Sequence, residues 1–551
     1  MFNIEFVQIS SLEKVFIDRQ PECGEIFELS ALKNERISYQ IAYRKETHGK
    51  VPMKISISSE LSENIKLFRV LNVPVQMPYN PDNHDDDIIL TKPGLAPDVL
   101  IPIEESETDL FGARWESIWV SVELDGKQSA GEYDIDITFE FEDEKEKKQI
   151  SKKMKLEIID AELPRQNLKF TQWFHCDCIA SYFNVPMFSE EHWRYIEKFV
   201  VCAAKNGINM LLTPIFTPPL DTAIGAERPT AQLVDVSRIG DDYSFDFSML
   251  DRWIDMCIRC GIKYFEMSHL FTQWGAKCTP KIMAEVDGET KRIFGWDVSS
   301  TSEEYQVFLS AFLPELDKYL KKKGIAEYVY FHISDEPHGD EAKENYLAAK
   351  KIVTKYLQGY KIMDALSDVA FYKEGVVELP VPANDHIEAF LEEDIDERWT
   401  YYCTCQAKKV SNRFIGMPSY RNRIIADQMF KFDIKGFLHW GFNFYYTQFS
   451  KDKLNPYVIT DADGAFQSGD AFSVYPYKDG VAESLRIVVF AEALADVRAM
   501  ELLASKIGKG EVVAIIEREA NQKITFSEYP RSSEYILRRR AAINKKIKEL
   551  I

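Results

Sequence analysis

One stretch indicates both the fold of this chain and a candidate site: Tyr328-Val-Tyr-Phe-His-Ile-Ser-Asp-Glu-Pro-His338. Its β-branched and aromatic residues favour a strand, and Pro337 ends that strand because proline has no backbone N–H for the ladder. The adjacent carboxylates Asp335 and Glu336 are therefore predicted at the C-terminal end of the strand. In a parallel α/β barrel this edge is where chemistry takes place, so both acids are candidate catalytic residues.

The two acids also have a plainer interpretation, in which Asp335 caps the following helix and Glu336 is a solvated side chain. The residues around the pair argue against it, because they are rich in aromatic rings and imidazoles: Tyr328, Tyr330, Phe331, His332 and His338. Successive side chains of a strand point to opposite faces, so the two acids can share one site only if the strand has begun to unwind. Pro337 favours such unwinding.

Strand and helix patterns alternate on both sides of this stretch. Strands are predicted at about residues 168–176, 208–214, 262–267, 328–335, 361–366, 381–384, 399–404 and 436–440. Helices are predicted at about 189–207, 249–259, 305–321 and 341–356. The fifth and sixth units are weakly marked, and no glycine-rich phosphate loop follows any strand. The alternation predicts a (β/α)8 TIM barrel over residues 165–505 rather than a doubly wound sheet.

The first 160 residues follow a different pattern. Apolar and polar residues alternate from Tyr133 to Phe141, which is typical of a strand with one buried face. Residues 1–8 alternate in the same way, and a charged turn at 142–148 leads into another such strand. Residues 1–160 are therefore predicted to form an antiparallel β-sandwich. Residues 506–551 are predicted to form a helical tail that packs outside the barrel.

A chain of 551 residues is long enough for two or three domains. Its hydrophobic fraction of 45% is typical of a globular protein. A formal net charge of -21 disfavours nucleic acid as the main partner, since its binding depends on cationic residues. The nine cysteines lie mostly in apolar segments, as is typical of reduced thiols. Neither a signal peptide nor a membrane-spanning stretch is recognisable. We therefore expect a cytoplasmic protein that binds neither nucleic acid nor membranes, while its oligomeric state is left open.

If the barrel is correct, further side chains from the strand ends meet at its mouth. They are aromatic rings, imidazoles and polar groups: Trp173, His175, Asp177, His269, Trp274, Trp399, Tyr401, Tyr402, His439, Trp440 and Asn443. Such groups suit a pyranose ring, whose C–H face packs on an aromatic ring while its hydroxyls form hydrogen bonds. Each aromatic residue alone is better explained by core packing than by ligand contact. Their shared position predicts a carbohydrate site.

Metal sites are an alternative that the sequence supports less well. The candidate ligands of a catalytic metal are His175, Asp177, His269 and Asp335, but no HxH or HxxxH spacing occurs. Cys257 and Cys260 have CxxC spacing inside a predicted helix, without a second pair. The acidic run at 82–87 lacks the glycine and terminal glutamate of a calcium loop. We expect neither a metal nor a cofactor.

Two carboxylates in an aromatic site are typical of glycoside hydrolysis. One acid protonates the leaving oxygen, and a second group stabilises the oxocarbenium-like transition state. The two carboxyl groups usually stand on different strands, so adjacent ones indicate another division of roles. A Ser-His-Asp hydrolase finds no support, because the chain has no GxSxG motif.

Five segments of the chain occur in a characteristic order. They are Leu95-Ala-Pro-Asp-Val-Leu-Ile-Pro102, Ser334-Asp-Glu-Pro337, Trp399-x-Tyr401-x-Cys403, Gly436-Phe-Leu-His-Trp-Gly-Phe-Asn443, and Gly469-Asp470 leading to Tyr475-Pro476. In these segments the chain resembles glycoside hydrolase family 123, the β-N-acetylgalactosaminidases, over almost its whole length. The resemblance adds Asp470 and Tyr475 to the expected substrate-binding residues.

In that family the 2-acetamido oxygen of the substrate attacks the anomeric carbon and gives an oxazolinium-like intermediate. The resemblance implies that Glu336 is the general acid/base and that Asp335 holds and stabilises the acetamido N–H. Their adjacency fits this scheme, because the enzyme supplies no carboxylate nucleophile. The implied activity is that of an exo-acting, retaining β-N-acetylhexosaminidase that releases N-acetylgalactosamine from an oligosaccharide or glycoconjugate, without a cofactor.

The chain departs from the family pattern after Pro476. Relatives carry an acidic residue and a basic-acidic-glycine stretch where this chain has Ser484-Leu-Arg-Ile-Val488 and Ala491-Glu-Ala493. The departure leaves the catalytic pair intact and the sugar specificity open. The alternatives are a glycosidase for another sugar on the same scaffold and a non-catalytic carbohydrate-binding protein, which would need the aromatic residues but not the paired acids.

Overall fold

The computed structural model describes residues 4–143 and 146–551. Residues 1–3 of the predicted first strand and residues 144–145 of the predicted charged turn lie outside these ranges. The N-terminal strands are β1 (Ile4–Ser10), β2 (Glu28–Leu32), β3 (Arg36–Lys45), β4 (Lys50–Ser58), β5 (Ile65–Val75), β6 (Gly94–Pro102), β7 (Glu107–Phe111), β8 (Trp115–Glu123), β9 (Gly131–Asp143) and β10 (Glu146–Ile159).

These strands form two five-stranded sheets, in the orders β1-β3-β8-β5-β6 and β2-β10-β9-β4-β7. Neighbouring strands are antiparallel except β2 and β10, which are parallel. Ile137 and Phe139 of β9 are buried and pack into one apolar core with Tyr39 and Ile41 of β3. The predicted alternation of buried and polar residues is therefore confirmed, and it places one face of each sheet in a shared core.

The remaining strands are β11 (Lys169–Gln172), β12 (Met210–Thr213), β13 (Asp235–Ile239), β14 (Asp242–Asp246), β15 (Tyr264–Met267), β16 (Ile282–Val286), β17 (Glu289–Phe294), β18 (Val329–Phe331), β19 (Lys361–Ala365), β20 (Leu379–Val381), β21 (Arg398–Tyr401), β22 (Ile434–His439), β23 (Val474–Tyr477) and β24 (Gly480–Glu483). Eight of them form a parallel sheet in the order β20-β19-β18-β15-β12-β11-β22-β21. A parallel bridge between Ala383 and Tyr401 joins the two edges, so the sheet is a nearly closed barrel.

The helices are α1 (Cys176–Phe183), α2 (Glu190–Lys205), α3 (Ser248–Arg259), α4 (Glu303–Lys323), α5 (Gly339–Val353), α6 (Val369–Lys373), α7 (Glu388–Leu391), α8 (Ser419–Arg423), α9 (Ile425–Lys431), α10 (Leu485–Ile507), α11 (Lys509–Ala520) and α12 (Ser533–Lys548). Ser189 caps α2 as its sequence predicts, because its side chain accepts a hydrogen bond from the N–H of His192. The fifth and sixth strands are followed only by α6 and α7, of five and four residues.

Two insertions pair at the C-terminal side of the barrel. The hairpin β13–β14 follows β12, and the hairpin β16–β17 follows β15. Parallel pairing between β13 and β16 joins them into one four-stranded sheet. Within the described ranges, no helix is long and apolar enough to cross a lipid bilayer.

A buried ion pair joins the N-terminal sheets to the barrel. The guanidinium of Arg486 at the start of α10 donates two hydrogen bonds to Asp98 on β6, at 2.9 and 2.8 Å. The hydroxyl of Tyr475 on β23 donates a third hydrogen bond to Asp98, at 2.5 Å. All three side chains are buried. Two of the similar segments found in the sequence, residues 95–102 and 469–476, therefore meet at this junction.

Asp98→Ala is expected to lower the free energy of unfolding by about 3–5 kcal/mol, because it leaves the buried charge of Arg486 without a partner. Urea unfolding followed by circular dichroism measures the change. Asp125→Ala removes an exposed aspartate from the same part of the chain and is expected to have no measurable effect. An equal loss of stability in both variants would contradict the role assigned to the junction.

Candidate active site

The acid pair lies where the chain leaves the barrel sheet. Strand β18 ends at Phe331, and Asp335 and Glu336 follow on irregular backbone. Glu336 has a φ of 43°, in the left-handed region, so the alternation of a strand no longer applies and both side chains line one cavity. The N-cap position of helix α5 is His338, three residues after Asp335. The alternative in which Asp335 caps the helix is therefore wrong.

The cavity has a volume of about 170 Å³. Its lining includes eight of the predicted site residues: Trp173, His175, Trp274, Asp335, Glu336, Tyr401, Trp440 and Asp470. It also includes Asp221 and Gln273, which the sequence analysis missed and which carry no distinctive local pattern. Sites for drug-sized molecules begin at roughly 300 Å³, so this cavity has room for a single small ring.

Glu336 is held by a neighbouring strand. The hydroxyl of Tyr401, at the C-terminal end of β21, donates a hydrogen bond of 2.5 Å to Oε1 of Glu336. Burial and the nearby Glu336 carboxylate raise the pKa of Tyr401 well above its usual value. The phenol therefore keeps its proton and serves as a fixed donor to Glu336.

Asp335 differs from Glu336 in its electrostatic surroundings. Burial, followed by the charge of Glu336, raises the pKa of Asp335 well above its usual value. Its backbone carbonyl accepts a 2.9 Å hydrogen bond from the N–H of Trp274. Trp274 has a φ of 59° and is 38% exposed, so it forms a wall at the cavity mouth. The site therefore contains adjacent carboxyl groups in different environments, which suits different roles.

A buried polar network lies under the acid pair. His332 stands between Glu266 on β15 and Asp364 on β19, with N–O distances of 2.6 and 3.1 Å. Glu266 also accepts a 2.6 Å hydrogen bond from the indole of Trp173. The sequence analysis did not identify Glu266 or Asp364. Each is the sole acid in an apolar strand, and that pattern is a usable signal because an unpaired buried charge is costly.

Another wall of the cavity is built around Asp470. Its Oδ2 accepts a 2.9 Å hydrogen bond from the indole N–H of Trp440. Burial raises the pKa of Asp470 to about 7. The other oxygen, Oδ1, lies 3.4 Å from Nε2 of His439, whose Nδ1 accepts from Arg413 and from the N–H of Gly441. Asp470 is therefore held by Trp440 and His439 while it lines the cavity.

His175 is fixed from two sides. The side chain of Asn443 accepts a hydrogen bond from the backbone N–H of His175 at 2.8 Å and donates one to the backbone carbonyl of His175 at 3.0 Å. Arg228 donates to Nδ1 of His175 at 3.2 Å and to both carboxylate oxygens of Asp177, at 2.8 and 3.0 Å. Burial and the Arg228 charge lower the pKa of His175 to about 3, so the imidazole is neutral. Asp177 and Asn443 support His175 and do not line the cavity.

Three other predicted residues also lie outside the cavity lining. Trp399 is near the start of β21, where its indole N–H donates to Glu397 at 2.9 Å, so it faces the opposite end of the barrel. Tyr475 belongs to the junction with Asp98. His269 is buried with its ring stacked on His332, at a centroid distance of 4.3 Å.

The described residues contain one group of three side chains close enough to share a metal ion, which is His269, His332 and Asp364. The rings of His269 and His332 are stacked with an interplanar angle of 19°. The lone pairs of an imidazole lie in its ring plane, so stacked rings do not point them at a common ion. Both nitrogens of His332 already face carboxylates. The group is therefore poorly suited to hold a metal.

Comparisons with known proteins show which family and structures this chain resembles. Residues 173–503 match the catalytic domain of glycoside hydrolase family 123. The structure is similar to that of a family 123 glycoside hydrolase from Clostridium perfringens associated with glycolipid glycan hydrolysis, with a TM-score of 0.74 and 15% identity, covering 99% of this chain and 98% of that chain. A β-D-glucuronidase from Dictyoglomus thermophilum has a TM-score of 0.33 and 9% identity, covering 83% of this chain and 66% of that chain.

No curated protein matches this chain at a significant level. The family match begins at Trp173, on the first barrel strand end, and extends into α10, so it includes the cavity and the acid pair. It covers more than half of the 551 residues. The chain therefore belongs to glycoside hydrolase family 123.

Proposed function

We propose that this protein is an exo-acting β-N-acetylhexosaminidase that releases N-acetylgalactosamine with retention, by substrate assistance. One observation carries the proposal: consecutive residues, Asp335 and Glu336, share one cavity wall. Two carboxylates that act as acid and nucleophile must approach the anomeric carbon from different sides of the sugar. Neighbours on one wall are poorly placed for that, so the nucleophile comes from the substrate's own acetamido group.

In this mechanism Glu336 protonates the glycosidic oxygen as the bond breaks, and then removes a proton from the incoming water. The hydroxyl of Tyr401 holds one carboxyl oxygen of Glu336, which leaves the other to carry the proton. Asp335 accepts the acetamido N–H and stabilises the positive charge that develops as the oxazolinium-like ring closes. Its role requires the ionised carboxylate, in a site where water does not screen that charge.

The other lining residues are proposed to bind the terminal sugar. Trp173, Trp274 and Trp440 provide ring faces, and the carboxyl group of Asp470 is the proposed hydrogen-bond partner of a sugar hydroxyl. His175 is proposed to shape the cavity, because its ring nitrogens are already paired with Arg228 and with the Trp440 carbonyl. The small cavity supports exo action, because it has room for one sugar ring. Trp399, His269 and Tyr475 are proposed to support the fold rather than to touch the sugar.

The departure from the family pattern after Pro476 does not reach the cavity lining. Ser484 caps α10, Arg486 belongs to the junction with Asp98, and Glu492 pairs with Arg423 at 2.7 Å. None of these residues lines the cavity. The departure therefore gives no reason to prefer another sugar, and N-acetylgalactosamine remains the proposed product.

The natural substrate is proposed to be the glycan of a glycolipid or other glycoconjugate, since the similar Clostridium perfringens enzyme is associated with glycolipid glycan hydrolysis. The barrel is proposed to be a (β/α)8 barrel with two reduced units, at α6 and α7. All nine cysteines are free thiols, which supports action in a reducing cytoplasm.

A panel of 4-nitrophenyl β-glycosides that differ only at C2 and C4 tests this function. We expect the 2-acetamido galactoside to be hydrolysed fastest. The 2-hydroxy galactoside should react about 10³-fold more slowly or worse, because it lacks the intramolecular nucleophile. The gluco epimer should lose about 10–100-fold, since one hydrogen bond to a charged group is misplaced.

The same panel separates the alternatives. Equal rates for the 2-acetamido and 2-hydroxy sugars would contradict substrate assistance and favour a glycosidase of another specificity. Saturable binding without turnover of any glycoside would favour a non-catalytic carbohydrate-binding protein. A reaction without enzyme provides the blank for each sugar, because Glu336→Gln should retain activity on activated aryl glycosides.

A further inference from the structure

The buried network under the acid pair consists of Glu266, His332 and Asp364, and its hydrogen bonds bear on the protonation of His332. The carboxylate of Glu266 accepts from the hydroxyl of Thr171 at 2.7 Å and from the indole N–H of Trp173 at 2.6 Å. Nε2 of His332 lies 2.6 Å from the same carboxylate. The indole of Trp173 can only donate to Glu266, and the hydroxyl of Thr171 is within donating distance, so Glu266 serves as an acceptor.

Asp364 has the same character on the other side of His332. Its Oδ2 accepts from the hydroxyl of Tyr346 at 2.5 Å and from the backbone N–H of Ile333 at 3.3 Å. Its Oδ1 lies 3.1 Å from Nδ1 of His332. A neutral imidazole has one N–H, so its second nitrogen would direct a lone pair at a carboxylate oxygen. With Glu266 and Asp364 both ionised, both nitrogens of His332 must carry a proton.

We propose that His332 is a permanently protonated positioning residue, whose imidazolium fixes Trp173 through Glu266 and offsets the negative charge beneath Asp335. The second part of this inference rests on the proposed function, in which Asp335 acts as a carboxylate. Burial alone would lower the pKa of His332, but its hydrogen bonds to Asp364 and Glu266 raise it to about 10. The network thus holds one positive and two negative charges, with no exposure to solvent.

The groups around His332 come from every neighbouring element. They are Glu266 on β15, His269 after β15, Tyr346 on α5, Asp364 on β19, and Asp335 and Glu336 on its own segment. Burial and the His332 charge keep the pKa of His269 well below its usual value, so His269 is neutral. His332 favours ionisation of Asp335, while Glu336, Asp364 and Glu266 oppose it. Removing the imidazolium leaves only opposing charges.

His332→Gln keeps the polar contacts and removes the charge. We expect the acid limb of the kcat/KM profile to move to higher pH by about one unit or more, because a charge within ~4–6 Å shifts a pKa by about 1–3. His386→Gln is the matched control, since it makes the same substitution at an exposed histidine that does not line the cavity, and its acid limb should stay in place. An unmoved limb in His332→Gln would overturn the electrostatic role.

The charge state can be read directly in the unmodified protein. In ¹⁵N-histidine spectra at pH 8, we expect one imidazole with two protonated nitrogens, and we expect His332→Gln to lack it. If that variant does not fold, Asp364→Asn should bring the same signal into an ordinary titration range. Absence of a doubly protonated imidazole at pH 8 would overturn the proposal. This signal does not depend on the sugar, so its failure is distinguishable from failure of the proposed function.

Discussion

Glu336→Gln is expected to lower kcat/KM about 10²–10⁴-fold for a methyl or alkyl β-glycoside of the preferred 2-acetamido sugar, because general acid catalysis contributes that much. The loss should be much smaller for a dinitrophenyl glycoside, whose leaving oxygen needs no proton. Steady-state kinetics with the two aglycones on the same sugar measures the difference. The glutamine retains the hydrogen bond from Tyr401, so the comparison isolates the proton.

The control is an acidic residue that is close to Glu336 in the sequence but does not line the cavity. Glu341→Gln changes an exposed residue at the start of α5, and we expect both aglycones to be hydrolysed at the unaltered rate. If Glu336→Gln slowed both aglycones equally, Glu336 would not be the group that protonates the leaving oxygen.

Asp335→Asn is expected to depress kcat by about 10²–10³-fold with little change in KM, because the lost charge stabilises a cation that exists only near the transition state. The unaltered enzyme should also lose activity as pH falls through the raised pKa of Asp335, at a higher pH than the usual ~4 of an aspartate. That limb should be missing in the asparagine variant. Profiles of kcat and kcat/KM against pH measure both effects.

A 2-fluoro sugar tests the alternative role of Asp335, in which it is a covalent nucleophile. If such a reagent trapped a stable glycosyl ester on Asp335, the residue would be a conventional nucleophile and the acetamido group would have no covalent role. Under substrate assistance no ester forms, and a thiazoline mimic of the cyclic intermediate should inhibit instead.

Much of the barrel was predictable because its signals are local. The run from Val329 to Phe331 is strongly β-forming, and Pro337 and the cap at Ser189 act within a few residues. The pairing of the hairpins β13–β14 and β16–β17 was not predictable, since it joins insertions that are far apart in the sequence. The short helices α6 and α7 give too few turns for a helical period to show.

The site was predictable at the strand ends and less so elsewhere. Trp399 was expected at the mouth, but it is the second residue of β21 and lies two positions before Tyr401, which does line the cavity. At about 3.3 Å per residue, those two positions place Trp399 roughly 7 Å deeper along the barrel. Glu266 and Asp364 were missed because their partners come from different strands, and only the closed sheet brings them to His332.

The contact between Asp98 and Arg486 limits the modularity of this protein. The family match begins at residue 173, yet the arginine inside it relies on an aspartate contributed by β6. A fusion protein with different N-terminal sheets would leave the buried Arg486 without its carboxylate, unless the new sheets carried an acidic residue at the position of Asp98. In this protein the N-terminal sheets and the barrel are therefore expected to be exchangeable only together.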